Sequence, residues 1–245
     1  MVNENNQKIE LPEWLNTIAV FDTETTGLNL REDRIVTASI QRMNFNGEVL
    51  SGGKDWIINP GISIPEIASQ VHGYYDKDVA DAPTSDKAVP EILDAINLCF
   101  AEGIPVLAYN AAYDFTILHY EAKRYGLHPV EFGNVIDPLV IDKTIDKYRK
   151  GKRTLGAAAE RYNVSLANAH TAKDDAIAAG HVGLGMLRFF RAQDQPVVPF
   201  PSSAQDLHDL QVKWAEAIEA SYAKWRQTDV PDYKPIFGWP VKDFS

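Results

Sequence analysis

Two acidic residues stand at the end of a short apolar run near the start of the chain. Residues 18–21 read Ile-Ala-Val-Phe, Asp22 follows at once, and Glu24 comes two positions later. Because side chains of a β-strand alternate between its two faces, Asp22 and Glu24 are predicted to share a face. Neighbouring carboxylates repel each other, and a hard divalent cation such as Mg²⁺ or Mn²⁺ relieves that repulsion. The pair therefore indicates either a metal site or two solvated acids at a strand end.

Two later segments also place acids where an apolar run gives way to a helix. Residues 104–109 predict a second buried strand, and residues 111–125 predict a helix with Asp114 in its first turn. His170 and Asp175 lie five residues apart at the start of a long Ala-rich helix. An acid in the first turn of a helix also complements the helix dipole, so these acids have a purely structural alternative.

The elements around these residues predict an α/β fold. Residues 34–45 and 48–58 are β-rich and are joined by Asn46-Gly47, which is a strong hairpin signal. We therefore expect the first three strands to form the antiparallel part of a sheet. Helical spacing of apolar residues at 86–100 and 154–162 predicts helices between the later, shorter strands.

Composition excludes several classes of protein. The chain has 245 residues, of which 45% are hydrophobic and 24% charged, as expected for a globular protein with a substantial core. No apolar run approaches the length that crosses a bilayer, and the N-terminus lacks a signal-peptide pattern, so we expect a cytoplasmic protein that does not bind membranes. The net charge of -10 means that contact with nucleic acid requires a local basic patch or bound cations.

One short segment is basic. Residues 143–153 carry six basic side chains and one acidic one, and Tyr148 among them offers a ring for base stacking. A solvated charged surface is the alternative to a phosphate-binding rim. The candidate phosphate contacts are Lys147, Arg149, Lys150 and Arg153.

Three motifs resemble those of the DEDD superfamily of 3′→5′ exonucleases. They are FDTETTG at 21–27, YNAAYDFTIL at 109–118 and HTAKDDA at 170–176. They occur in the order found in the histidine-bearing branch of that superfamily, which includes the proofreading subunit of bacterial DNA polymerase III. Tyr113 stands where Phe is commoner in the family.

The resemblance implies a ribonuclease H-like fold, a mixed five-stranded sheet flanked by helices, with a C-terminal helical extension in this chain. It implies two divalent cations, Mg²⁺ or Mn²⁺, and His170 as the general base. The implied metal ligands are Asp22, Glu24, Asp114 and Asp175. The implied contacts to the terminal nucleotide are Thr25, Thr26, Leu28 and Asn110.

The function implied by the resemblance is hydrolysis of the terminal phosphodiester bond at single-stranded or frayed DNA 3′ ends, with release of nucleoside 5′-monophosphates. A polymerase or replisome partner is expected, with the chain itself a monomer or homodimer. One alternative is an exoribonuclease of the same fold. The other is a non-catalytic nucleic-acid or polymerase-binding module, which the intact acids and His170 disfavour.

The chain is predicted to divide into an exonuclease domain at 1–192, a Pro-rich linker at 193–203 and a helical arm at 204–245. Leu207, Trp214 and Trp225 lie on one stripe of the arm, which must be buried against the domain or in a dimer. Truncation after Phe200 is therefore expected to reduce stability and to spare the chemistry of the acids.

Overall fold

A mixed five-stranded sheet forms the centre of the computed structural model, which describes residues 10–165, 171–194, 196 and 198–244. The strand order is β3-β2-β1-β4-β5. The first three strands pair antiparallel, and β4 and β5 run parallel to β1. The strands are β1 (Thr17–Thr25), β2 (Ile35–Asn44), β3 (Val49–Ile57), β4 (Val106–Leu107) and β5 (Val135–Ile136). The predicted mixed sheet and its β2–β3 hairpin are confirmed.

Helices flank this sheet on both faces. None of the helices in the described ranges is both long and apolar enough to cross a membrane. In chain order they are α1 (Glu66–His72), α2 (Asp76–Val79), α3 (Ser85–Ala101), α4 (Ala111–Arg124), α5 (Pro138–Ile145), α6 (Leu155–Arg161), α7 (Ala172–Arg191) and α8 (Ala204–Arg226), with a 3₁₀ turn at Glu13–Leu15.

The central strand β1 is buried on both faces. Ile18 and Val20 belong to the apolar cluster formed with α7, whereas Ala19 and Phe21 belong to the cluster formed with α3 and α4. All four side chains are fully buried. A strand covered on both faces requires apolar residues at successive positions, which explains why this run does not alternate.

A glycine lets α7 lie close against the sheet. A Cβ at Gly180 would lie 2.7 Å from Val20 Cγ1 and 2.5 Å from Met43 Sδ, closer than side chains pack. Any larger residue at this position would therefore push α7 away from β1 and β2. The spacing matters because the first turn of α7 lies over the carboxyl end of β1.

Helix α8 covers the outer edge of the sheet. His208 Nδ1 accepts a hydrogen bond from the Val135 amide at 3.1 Å. Gln211, which is fully buried, accepts from the Asp137 amide at 2.6 Å and donates to the Val135 carbonyl at 2.9 Å. These bonds satisfy backbone groups that an edge strand would otherwise expose. The helix predicted as an arm thus packs on β5 of the same chain.

The predicted apolar stripe of α8 is only partly buried. Leu207 is fully buried in the cluster that contains Ile18, and Trp214 packs at its margin. Trp225 is 58% exposed and instead packs against Tyr222, with ring centroids 5.7 Å apart and the rings tilted by 39°. The helical spacing therefore identified the buried stripe for the first part of α8 and overestimated its length.

Candidate active site

Three predicted metal ligands meet at the carboxyl end of β1. Asp22 and Glu24 lie on the face of β1 that α7 covers, and Asp175 lies in the first turn of α7, four residues after the capping residue Thr171. Asp22, Glu24 and Asp175 each provide a carboxylate oxygen, and these oxygens lie within 4.8 Å of one another. Strand β1 and helix α7 thus bring together acids that are about 150 positions apart in the sequence.

Asp114 approaches the same strand end from the other face. It lies in the first turn of α4, is 3% exposed and accepts two hydrogen bonds from Thr23. The Thr23 amide and hydroxyl lie 3.0 and 2.7 Å from Asp114 Oδ1. Because Thr23 stands between Asp22 and Glu24, these bonds tie α4 to the strand that carries the first two acids.

Burial and mutual repulsion raise the pKa values of the clustered carboxyl groups. Desolvation, followed by the charges of Asp114, Glu24 and Asp175, holds the pKa of Asp22 well above its ordinary range. Desolvation and the charge of Asp175 raise the pKa of Glu24 to about 7. Desolvation also raises the pKa of Asp114 to about 7, although the hydrogen bonds from Thr23 oppose the shift.

The donor set of this cluster fits hard divalent cations. Its ligands are all carboxylate oxygens, the ligand type that Mg²⁺ and Mn²⁺ prefer. Burial, and after it the repulsion between neighbouring carboxylates, raises the pKa values of Asp22 and Glu24, so the ionised acids are unfavourable without a cation. A bound cation would remove that repulsion, so the residues present suit the metal role predicted for them.

An aliphatic cleft of about 390 Å³ opens beside the acids. Leu28, Ile67 and Val71 are 86%, 77% and 65% exposed, which is unusual for three neighbouring aliphatic side chains. Ile67 and Val71 lie one turn apart on α1. The motifs did not identify them as site residues, although their spacing of four residues just before His72 indicates that they share a helix face. The lining residues are Thr23, Glu24, Thr25, Gly27, Leu28, Ile67, Ala68, Val71, His72 and Tyr113.

The Tyr113 hydroxyl fixes one wall of this cleft. It lies 2.5 Å from the Thr25 hydroxyl and donates to the Gly27 carbonyl at 2.7 Å. Burial raises the pKa of Tyr113 to about 12, so the phenol stays protonated at neutral pH. A Cβ at Gly27 would lie 2.5 Å from Asp33 Oδ2, so a larger residue here would displace the Asp33 carboxylate, which accepts hydrogen bonds from Thr26 and Asn29.

Thr26 differs from its predicted role as a substrate contact. It is 1% exposed, its hydroxyl donates to Asp33 Oδ1 at 2.9 Å, and its amide donates to the Arg34 carbonyl at 2.9 Å. Its polar groups are therefore used inside the loop. Thr25 and Leu28 line the cleft, and their contact with a terminal nucleotide stays a prediction.

The basic segment also differs from its prediction. Arg149 and Arg153 each place a guanidinium nitrogen 2.6 Å from buried Asp142 Oδ2, and their side chains are 13% and 15% exposed. These two arginines hold the segment onto α5 and are not free for phosphate. Lys147 and Lys150 remain exposed as candidate contacts.

Asn110 and His170 complete the set of predicted site residues. Asn110 caps α4 in the left-handed conformation, with φ 66° and ψ 48°, and is exposed beside the site. His170 lies outside the described residues, so its role as a base stays a prediction from the sequence.

Comparison with known proteins identifies the family. The RNase T exonuclease family model matches residues 19–182, which include all four acids of the site. The chain belongs to this family of exonucleases. The order of its three motifs and the clustering of Asp22, Glu24 and Asp175 identify the DEDD type of 3′→5′ exonuclease.

Relatives of this exonuclease family member include longer proteins. A DNA polymerase III subunit epsilon-like protein of Rhodobacter capsulatus is 32% identical over 182 residues, which cover 72% of this chain and 24% of that protein. The PolC-type DNA polymerase III of Caldanaerobacter subterraneus is 30% identical over 168 residues, which cover 69% of this chain and 11% of that protein. The chain thus spans less than a quarter of either relative.

Solved exonuclease structures share the fold. E. coli exonuclease I in complex with a dA16 oligonucleotide matches with a TM-score of 0.59 at 15% identity, covering 73% of this chain and 41% of that chain. Exonuclease X in complex with 5′ overhanging duplex DNA matches with a TM-score of 0.53 at 17% identity. The match covers 79% of this chain and 99% of that chain. At these identities the likeness shows the ribonuclease H-like fold and nothing further.

The raised pKa values predict a pH-dependent response to metal. A carboxyl group with a raised pKa in the folded state favours protonation there, so its contribution to stability falls as pH rises from about 4.5 to 7. We expect Mg²⁺ to raise the Tm by more at pH 7.5 than at pH 5, and Glu24→Gln to reduce that difference. Thermal unfolding with and without Mg²⁺ measures this; an equal Mg²⁺ effect at both pH values would contradict it.

Replacing Tyr113 by Phe should loosen the wall of the cleft. The substitution keeps the ring and removes the hydroxyl contacts to Thr25 and Gly27. A net hydrogen bond contributes about 0.5–1.5 kcal/mol, so we expect KM for an oligonucleotide to rise roughly 2- to 10-fold with little change in kcat. Tyr120→Phe on the same helix is the matched control. Equal KM values for Tyr113→Phe and wild type would show that the hydroxyl does not shape the cleft.

Proposed function

We propose that this chain is a metal-dependent exonuclease that removes single nucleotides from the 3′ end of single-stranded or frayed DNA. Its products would be nucleoside 5′-monophosphates. The observation that carries the proposal is the position of the acid cluster beside the aliphatic cleft, since Glu24 belongs to both. The site offers anionic ligands for cations next to an apolar surface of the kind that holds a base.

Hydrolysis here would break the bond between phosphorus and the 3′ oxygen of the preceding nucleotide while a water oxygen bonds to phosphorus. Divalent cations, Mg²⁺ or Mn²⁺, when bound supply positive charge that activates the water and offsets the charge on the leaving oxygen. Asp22, Glu24, Asp114 and Asp175 would hold them. We propose two cations, because four ionised carboxylates carry a charge that a single divalent ion leaves half uncompensated.

His170 is proposed to take the proton from the attacking water. The support is its place in the third motif, five residues before Asp175. The unperturbed pKa of histidine is about 6.5, close to the pH at which proton transfer must operate.

The terminal nucleotide is proposed to bind in the aliphatic cleft. Leu28 would contact the base from one side, and Ile67 and Val71 from the other. Apolar contacts of this kind read the shape of a base and not its hydrogen-bonding edge, so we expect little sequence preference. Lys147 and Lys150 are proposed to contact phosphates further along the strand.

A DNA polymerase is the proposed partner. The support is that the matched relatives include proteins named DNA polymerase III PolC-type and subunit epsilon-like. In the PolC-type DNA polymerase III of Caldanaerobacter subterraneus, the region that matches this chain is 11% of that protein.

A single assay tests the proposed activity. Single-stranded DNA, a duplex with a mismatched 3′ end and RNA of the same sequence are incubated with Mg²⁺ or Mn²⁺. We expect 5′-mononucleotides released from DNA 3′ ends. Asp22→Asn and Asp175→Asn should each lower the rate by more than about 100-fold. Replacing a residue that only supports a metal ligand typically costs roughly 10- to 100-fold, and these two acids are proposed to bind the metal directly.

Asp174→Asn is the matched control, since the Asp174 carboxylate accepts a hydrogen bond at 2.9 Å from the hydroxyl of Thr171, the residue that caps α7. Faster degradation of RNA than DNA would favour the exoribonuclease. Binding without cleavage of any substrate would favour the non-catalytic module.

The dependence of rate on pH tests His170. A general base must be neutral, so the rate should rise with pH through its pKa, and His170→Ala should abolish that rise and lower the rate about 10²- to 10⁴-fold. Mg²⁺ is kept saturating for both proteins. Persistence of the same acid limb in His170→Ala would assign it to another group, such as the attacking water.

A further inference from the structure

The last described segment of the chain, residues 236–244, crosses from α8 to α4, the helix that carries Asp114. This segment, which we call the C-terminal tail, lies outside the residues matched to the exonuclease family. Trp239 and Val241 pack against the apolar cluster that contains Phe115 of α4. The tail therefore contacts a catalytic element of the fold, although the sequence suggested a separate arm.

Buried Asp137 connects the tail to the start of α4. Its Oδ1 accepts from the amides of Asn110 at 3.0 Å and Leu139 at 2.9 Å. Its Oδ2 accepts from the Ala111 amide at 3.0 Å and from Trp239 Nε1 at 3.3 Å. The first amides of a helix have no partner within the helix, so Asp137 serves as a cap for α4 supplied from another part of the chain.

A second contact holds α4 one turn further along. The Lys242 amide donates to the hydroxyl of Thr116 at 2.8 Å, and Thr116 is fully buried. Lys242 Nζ also pairs with Glu219 of α8 at 3.1 Å. The Phe244 ring packs on Tyr120 of α4, with centroids 6.0 Å apart. The tail is thus fixed to α8 at one end and to two turns of α4 at the other.

We propose that the C-terminal tail positions α4 so that Asp114 can bind metal. Trp239, acting through Asp137, and Lys242, acting through Thr116, are its positioning residues. This inference rests on the proposed function for the metal-binding role of Asp114. It also replaces the expectation that truncation after Phe200 spares the chemistry of the acids, because truncation would remove both contacts.

The geometry explains why small changes in the C-terminal tail would alter the position of Asp114. Asp114 lies within the first turn of α4, and its carboxylate is held at 2.7–3.0 Å by Thr23. The Asp137 cap and the Thr116 contact lie on either side of Asp114 in sequence. If both loosen, α4 can shift along β4 and β1, and a metal site tolerates such shifts poorly because its ligands must hold a fixed geometry.

The test uses the full chain with Trp239→Phe, Thr116→Val and the double variant. Mn²⁺ affinity is measured from free Mn²⁺ by electron paramagnetic resonance, and amide hydrogen exchange is measured at Asn110 and Ala111. We expect about 2- to 10-fold weaker Mn²⁺ binding for each single variant, since each removes one hydrogen bond. We also expect a larger loss for the double variant, and faster exchange at both amides in Trp239→Phe and the double variant.

Two controls separate positioning from general stability. Trp214→Phe makes the same change in ring size on α8, away from Asp137, and should lower the Tm without changing Mn²⁺ affinity. Thr116→Ser keeps the hydroxyl and should retain wild-type affinity.

Unchanged Mn²⁺ affinity in the double variant, with a Tm loss like that of Trp214→Phe, would overturn the inference. A different result would contradict the proposed function: a wild-type chain that binds Mn²⁺ but cleaves no nucleic acid.

Discussion

The burial of four mutually repelling carboxylates at one end of β1 is the constraint on which this site depends. Asp22 and Glu24 share a strand face, Asp175 approaches from α7 on that face, and Asp114 approaches through Thr23 from the other. Both helices direct their N-termini at the cluster, where the helix dipole favours negative charge. The dipoles and the Thr23 bonds offset only part of the cost of burying these charges side by side, since the pKa values of Glu24 and Asp114 still lie at about 7, chiefly because of burial. The remainder is available to drive cation binding.

Local patterns in the sequence predict the parts of the site that depend on neighbours in the chain. The period of a β-strand places Asp22 and Glu24 on one face, and the turn chemistry of Asn46-Gly47 predicts the hairpin. Helix-start positions identify Asp114 and the first turn of α7. Local patterns do not show which distant elements meet. The motif resemblance supplies this, because it implies that the first turns of these two helices lie together at the end of β1.

Contacts between distant residues are not predictable from those patterns. The basic run at 143–153 does not reveal that two of its arginines pair with Asp142, because their burial depends on how the loop folds over α5. Trp239 and Asp137 are 102 positions apart, and the aromatic tail has no periodicity that indicates a partner. The spacing of Ile67 and Val71 places both on one face of a helix, but it does not reveal that this face stays exposed beside the acids.

Proton release on metal binding tests most directly the claim that cations relieve the cost of holding these buried, mutually repelling carboxylates in their ionised form. Isothermal titration of the metal-free protein with Mn²⁺ at pH 6.5, in buffers of different ionisation enthalpy, counts the protons released. With Glu24 and Asp114 titrating at about 7, the account predicts release that declines toward zero as the pH is raised above their pKa values. Binding heats that do not depend on the buffer at pH 6.5 would contradict it, because the carboxylates would then already be ionised without metal.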